Sequence, residues 1–248
     1  TYHGHVLEGY FGRGKTAVYR GLEKTAGRVS DRLIGVSQAT VDDLIRLGVA
    51  SRDRFRVVPL GLVLDPFTNL NPAPDPGARQ DLGITSDDVL FSFVGRIVPI
   101  KRVDLLLDAM AEARRNGARV QLAIAGDGET RSDLEEMARR LGIADSVHFL
   151  GYRRDLTTIA AASDAVILSS DNEGTPVSLI EASAAARPAV ATTVGGVREV
   201  VTDETGILVP PGDSSALAGA IGRLAADSGL RASLGVRARE HATGRYSA

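Results

Sequence analysis

From residue 88 onward, short apolar runs alternate with longer stretches whose apolar residues recur every three or four positions. Residues 89–94, 120–125, 147–150, 165–168, 189–191 and 206–209 read as buried strands. Between the first two, Val103, Leu106, Leu107 and Met110 fall at helical spacing. Helices are also expected over 133–141, over 156–162, from about 176 to 186, near Val197, from Ser215 and near Arg231. Strands that alternate with helices predict an α/β fold, a Rossmann-like parallel sheet with helices on both faces.

The first sixty residues carry a weaker form of the same pattern. A helix is expected over 12–30, a short strand over 32–36, and a helix through Leu47 capped by Ser37. A second strand is expected over 55–60. Residues 61–77 hold four prolines and the run Asn69-Leu70-Asn71-Pro72, and so read as a linker. The expected organisation is a first unit over 1–60, a linker over 61–77 and a larger domain over 78–248. No internal repeat or low-complexity segment interrupts it.

Composition narrows the classes. With 44% hydrophobic and 24% charged residues, the chain has the balance of a globular protein. A net charge of −2 argues against a nucleic-acid partner. The lack of cysteine excludes disulfides and thiolate metal sites. No apolar run approaches the ~20 residues that cross a bilayer. Lysine stands only at 15, 24 and 101. The chain opens on threonine and stops after Arg245-Tyr246-Ser247-Ala248, so we expect a piece cut at both ends.

Three segments carry candidate chemistry. In Ser170-Asp171-Asn172-Glu173-Gly174-Thr175-Pro176, continuing to Glu181, two glutamates stand with seven residues between them. Thr175 fits an N-cap and Pro176 the first helical position. The helix start then offers free N–H groups and a positive dipole end to a diphosphate. Glu181 lies roughly 7.5 Å further along the helix, about the distance from a diphosphate to its ribose. In Gly95-Arg96-Ile97-Val98-Pro99-Ile100-Lys101, a strand ends and a loop carries two cations to the edge where parallel sheets bind ligands. Gly126-Asp127-Gly128 follows another strand. It lacks the third glycine and the downstream acid of a dinucleotide fold, which argues against a nicotinamide cofactor.

Together, in this order, these segments resemble the signature of the retaining GT4 glycosyltransferases, whose fold is GT-B. Phe149-Leu150-Gly151, Gly195-Gly196-Val197-Arg198-Glu199 and residues 206–213 are similar to the family as well. The resemblance implies retaining transfer of a hexosyl unit from a nucleotide-diphosphate sugar, a UDP- or GDP-sugar, to a hydroxyl acceptor in glycan or glycolipid synthesis. It implies that Arg96 and Lys101 hold the diphosphate, Glu173 the sugar hydroxyls and Glu181 the ribose. The backbone of Gly174, Thr175, Pro176 and Val177 would reach phosphate or sugar. Gly95 and Gly126 line the donor site, and Tyr152 and Arg153 lie near the base. Thr1-Tyr2-His3 resembles the family segment whose histidine faces the donor sugar, which places His3 in the site, with His5 a weaker candidate. No cofactor and no metal are implied. The acceptor, whether glycan, lipid-linked or a small molecule, would bind mainly on a missing N-terminal domain. Peripheral membrane contact would come from that domain too, and the setting implied is cytoplasmic, at or near the inner membrane face. Arg102 stands where the family often has glycine, and Ala186 replaces another glycine.

Two rival readings remain. Gly9 to Thr16 matches the P-loop expression Gly-x4-Gly-Lys-Thr, but the polar residues before it do not make the buried strand a P-loop needs. The other rival is a non-catalytic nucleotide-sugar-binding module. A piece without its facing domain is expected to bind nucleotide weakly and transfer no sugar, with His3 on a frayed end.

Overall fold

The computed structural model describes residues 1–4, 7, 12–84 and 88–248. The first unit holds helix α1 (Arg13–Val29), strand β1 (Leu33–Gly35), helix α2 (Gln38–Arg46) and strand β2 (Phe55–Val57). β1 and β2 pair in parallel. Leu7, Leu33, Val41, Leu44, Val49 and Phe55 form a small core beneath them. Ser37 caps α2 as expected, with its Oγ accepting from the Thr40 amide at 3.1 Å. Tyr2 is stitched alongside β1: its amide donates to Ile34 O at 2.7 Å, and its carbonyl accepts from the Val36 amide at 3.1 Å. The start of the chain is therefore not frayed at His3, because one residue earlier the backbone is paired on both sides. His5 and residues 9–11 of the P-loop-like segment lie outside the described residues. Lys15 and Thr16 lie in α1, most of whose residues are exposed.

Residues 61–77 are more than a tether. They contain helix α3 (Asp65–Thr68) and the start of helix α4 (Pro76–Asp81), whose N-cap Asp75 accepts from Gly77 N. Leu64 and Phe67 are buried in the core of the larger unit. Arg187, 1% exposed, donates to the carbonyls of Asn71, Pro72 and Ala73 and to those of Ala160 and Ala161. A buried guanidinium needs its donors satisfied, and five carbonyls from two chain segments satisfy these.

The larger unit is built on six parallel strands. In chain order it comprises β3 (Val89–Val94), α5 (Val103–Arg115), β4 (Val120–Ala125), α6 (Arg131–Arg140), β5 (Val147–Gly151) and α7 (Leu156–Ala162). There follow β6 (Ala165–Leu168), α8 (Val177–Ala184), β7 (Ala189–Thr192), α9 (Val197–Val200), β8 (Gly206–Val209), α10 (Ser214–Ala226) and α11 (Ser228–Tyr246). The sheet order is β5-β4-β3-β6-β7-β8. β4 and β6 are buried along their whole length, as continuous apolar strands between two helix layers must be. From β3 the chain runs outward to β5, then returns and lays β6 on the other side of β3. This reversal is a topological switch point, and the crevice at the carboxyl ends of its two strands is where open α/β sheets take ligands.

Candidate functional site

The loops after β3 and β6 meet at that switch point. After β3 the chain passes Gly95 and Arg96 and turns through a 3-10 segment, Pro99–Lys101. After β6 it passes Ser169 and Ser170, both fully buried, and reaches Glu173 before α8 begins. Lys101 Nζ donates to Glu173 Oε1 at 2.5 Å, and Ser170 Oγ donates to the same oxygen at 2.6 Å. Further hydrogen bonds to backbone carbonyls lock the two loops. Ser169 Oγ donates to Lys101 O at 2.9 Å, and the Asp171 amide donates to Ile100 O at 2.9 Å. Thr192, at the end of β7, donates to Ser170 O at 2.7 Å. Arg96 is exposed and has no hydrogen-bond or ion-pair partner among the described residues.

Backbone lies directly on backbone around the second loop. A Cβ on Gly174 would run into the His3 carbonyl oxygen, and one on Gly195 (φ 46°) into the Glu173 carbonyl. Gly196 donates its amide to Gly174 O at 2.9 Å, with Ser37 of the first unit packed beside it. His3, Gly174 and Gly196 thus form a stack joining the two units behind Glu173. On the other side of the switch point, Gly126 (φ 154°) lies against the Gly95 carbonyl, where a Cβ would not fit.

The start of α8 departs from the expected capping. Pro176 is the N-cap and Val177 the first helical residue, with no side-chain cap. Thr175 does not cap: its hydroxyl points away and donates to Val36 O, in the first unit, at 3.4 Å. This long-range bond outcompetes the local one. The amides of Val177 and Ser178 still have no acceptor within the helix, as at any helix start. Glu181 lies half-buried one turn further on, beside Ser92, Val94 and Phe67. Its carboxylate has no protein partner among the described residues, and burial pushes its pKa up. Tyr152 is 74% exposed beyond Gly151, while Arg153 forks onto Asp155 and the start of α7.

A parallel sheet with this order, two cations and two carboxylates around its switch point, and a free helix start suits a phosphorylated ligand. The sequence family described as glycosyl transferases group 1 matches residues 75–241. The D-inositol 3-phosphate glycosyltransferase of Saccharomonospora viridis is 37% identical over 225 residues, which are 86% of this chain and 52% of that protein. The protein of the same description from Actinosynnema mirum is 37% identical over 227 residues, 87% of this chain and 54% of that one. This chain belongs to the glycosyl transferases group 1 family. It spans about half the length of these curated relatives.

Solved structures agree on the GT-B type of fold. Anabaena Alr3699/HepE, solved in complex with UDP and glucose, superposes with a TM-score of 0.85 at 26% identity, over 99% of this chain and 66% of that one. The sucrose-phosphate synthase of Thermosynechococcus elongatus gives 0.81 at 29% identity, over 93% and 58%. As a group 1 family member, the chain carries features that its motifs alone do not announce. Ser170 supports Glu173, Thr192 supports the loop behind it, and Val36 and Ser37 belong to the wall facing α8. The serines directly after an apolar strand were the available signal for the first. Nothing local marks the contacts from residues 36 and 37.

Proposed function

We propose that this chain is the donor-holding part of a retaining glycosyltransferase of the GT4 type, which transfers a hexosyl unit from a UDP- or GDP-sugar to a hydroxyl acceptor. The observation that carries this reading is the convergence of Lys101, unpartnered Arg96 and the free start of α8 at the switch point, with Glu173 and partnerless Glu181 on either side. In this reading Arg96 and Lys101 take the diphosphate and the charge that develops as it leaves, helped by the Gly174–Val177 backbone. Glu173, freed from Lys101, accepts from donor-sugar hydroxyls. Glu181 accepts from the ribose hydroxyls, which would satisfy a carboxylate that the protein leaves without a donor. Gly95 and Gly126 keep the floor low enough for the phosphates. Tyr152 offers an exposed ring to a base, and His3, exposed and with its backbone against Gly174, is assigned to the sugar. Stabilisation of the leaving diphosphate is electrostatic, and no residue is assigned as a covalent nucleophile.

Calorimetric titration with a panel of nucleoside diphosphates tests the reading. Saturable binding of UDP or GDP, lost in Lys101→Ala, is expected. Failure of every nucleoside diphosphate to bind at millimolar concentration would rule the donor site out. A radiolabelled-donor assay of this chain and of a protein of the relatives' full length separates transfer from binding. Binding without transfer in the longer protein would favour the non-catalytic module.

A further inference from the structure

Arg102 and Ala186 are the two non-glycine residues with positive φ among the described residues. At φ 49°, ψ 44°, Arg102 stands in the left-handed region that side chains avoid. Local backbone strain of this kind persists only where its surroundings hold it in place. At Arg102 the surroundings are two carboxylates. Its Nε donates to Asp104 Oδ1, in the first turn of α5, at 3.1 Å. Its Nη1 reaches both carboxylate oxygens of Asp171, in the loop after β6, at 3.2 and 3.3 Å. The residue before it, Lys101, takes Glu173 from that same loop. Two successive cations of one loop thus grip two acids of the other, with one residue between those acids.

The two bridges fare differently once a donor arrives. On the reading proposed above, Lys101 turns to the diphosphate and Glu173 to the sugar, so their ion pair opens. Arg102 is already held between Asp104 and Asp171 and does not follow. We propose that Arg102 is a positioning residue, whose bridge to Asp171 keeps the loops after β3 and β6 in register while Lys101 exchanges Glu173 for the donor diphosphate. With it, the hydrogen bonds of the Ser169 hydroxyl to Lys101 O and of the Asp171 amide to Ile100 O are reinforced by a side-chain tie that does not open when the Lys101–Glu173 pair does.

The test is calorimetric titration of the 248-residue chain and its variants with UDP and with GDP, beside a melting curve for each. Arg102→Gly removes the guanidinium and relieves the backbone at once. Its melting temperature should hold or rise, while affinity for the bound diphosphate falls about three- to fivefold, the scale of a partly exposed ion pair. Asp171→Asn should lose a similar factor, and the double variant should lose no more than either single one, because both remove the same bridge. Arg102→Lys should recover part of the loss. Wild-type affinity in Arg102→Gly, additive losses in the double variant, or losses that track a falling melting temperature would each overturn the inference. Lys101→Ala is run in parallel. If it weakens binding and Arg102→Gly does not, the inference fails and the donor site stands. If Lys101→Ala has no effect either, the donor site itself is wrong.

Discussion

Lys15 and Lys101 carry the same charge in very different surroundings. Lys15 is exposed on α1, while Lys101 lies at the sheet's switch point with its Nζ 2.5 Å from Glu173. Lys101→Ala should therefore weaken nucleoside diphosphate binding roughly 10- to 100-fold, the worth of a charge-assisted hydrogen bond, and Lys15→Ala should not change it. Equal losses by titration would revive the P-loop reading of residues 9–16. Glu173 competes with phosphate for the same ammonium group, so Glu173→Gln is expected to leave free-nucleotide affinity unchanged or slightly higher. A loss as large as that of Glu181→Gln would contradict the assignment of Glu173 to the sugar. Glu181 makes the opposite trade. Burial raises its pKa above the ordinary value of 4.5, so the native state binds this proton more readily than the unfolded chain does. The ionised group then costs stability at neutral pH, and the cost fades as pH falls through the raised pKa toward 4.5. Glu181→Gln should melt at a higher temperature than wild type at pH 7, converge with it in acid, and bind nucleotide more weakly. Melting curves across this range check the sign, and a lower melting temperature at pH 7 would refute it.

At the scale of elements, what the sequence disclosed follows from how locally each element is determined. Strands β3, β4 and β6 begin and end where the apolar pattern places them, because burial writes a continuous run into a central strand, and the bounds of edge strand β8 and helix α7 match as well. The meeting of Lys101 with Glu173 was legible too, since each stands in a loop that follows a strand of the sheet. The start of α8 was not. Thr175 has the residue type of a cap, and only the distant carbonyl of Val36 explains why its hydroxyl turns elsewhere. The linker was half legible: its prolines mark turns, while Leu64 and Phe67 carried an unread signal of burial. The glycine stack behind Glu173 yields a prediction at this scale. Gly174→Ala would press a methyl group onto the His3 carbonyl, which is backbone and cannot swing aside. We expect it to push the first unit away from α8, lowering the melting temperature and weakening nucleotide binding together. Gly14→Ala, on exposed α1 where a Cβ meets nothing, should do neither.

Over the whole molecule, the small first unit and the larger one are joined by contacts from named residues on both. Glu199 is central to them. Its Oε1 accepts from the Ala39 amide at the start of α2, and its Oε2 from Arg245 of α11. His241 and Tyr246 both bond its carbonyl at 2.9 Å. Beneath the larger unit, Arg187 ties residues 71–73 to the end of α7. Burial lowers its pKa to about 10, which leaves it charged at neutral pH. Replacing it by methionine would leave the carbonyls of Asn71, Pro72 and Ala73 without this donor, while those of Ala160 and Ala161 keep the amides of Ser163 and Asp75. At ~1–3 kcal/mol per unsatisfied group, a loss of about 3 kcal/mol or more is expected. In a unit of this size that lowers the melting temperature by roughly 6–12 °C, with Arg187→Lys falling between. A melting temperature for Arg187→Met within a degree of wild type would show that water replaces the guanidinium.

The clamp on residues 71–73 also determines how the two units can move. Leu62 is already fixed, its amide donating to Tyr246 O at 2.7 Å and its carbonyl accepting from the Ala248 amide at 3.0 Å. On the other side, Val58 still donates to Gly35 O in the first unit. Only Pro59, Leu60 and Gly61 lie between these anchors, and three residues span at most about 10 Å when fully drawn out. So short a leash permits little translation. Any opening of the crevice has to be a swing about this single pivot, with the His3–Gly174 stack as the edge that parts. A force probe pulling the units apart should therefore meet resistance after a few ångströms of extension, long before the seventeen residues that look like a linker could pay out.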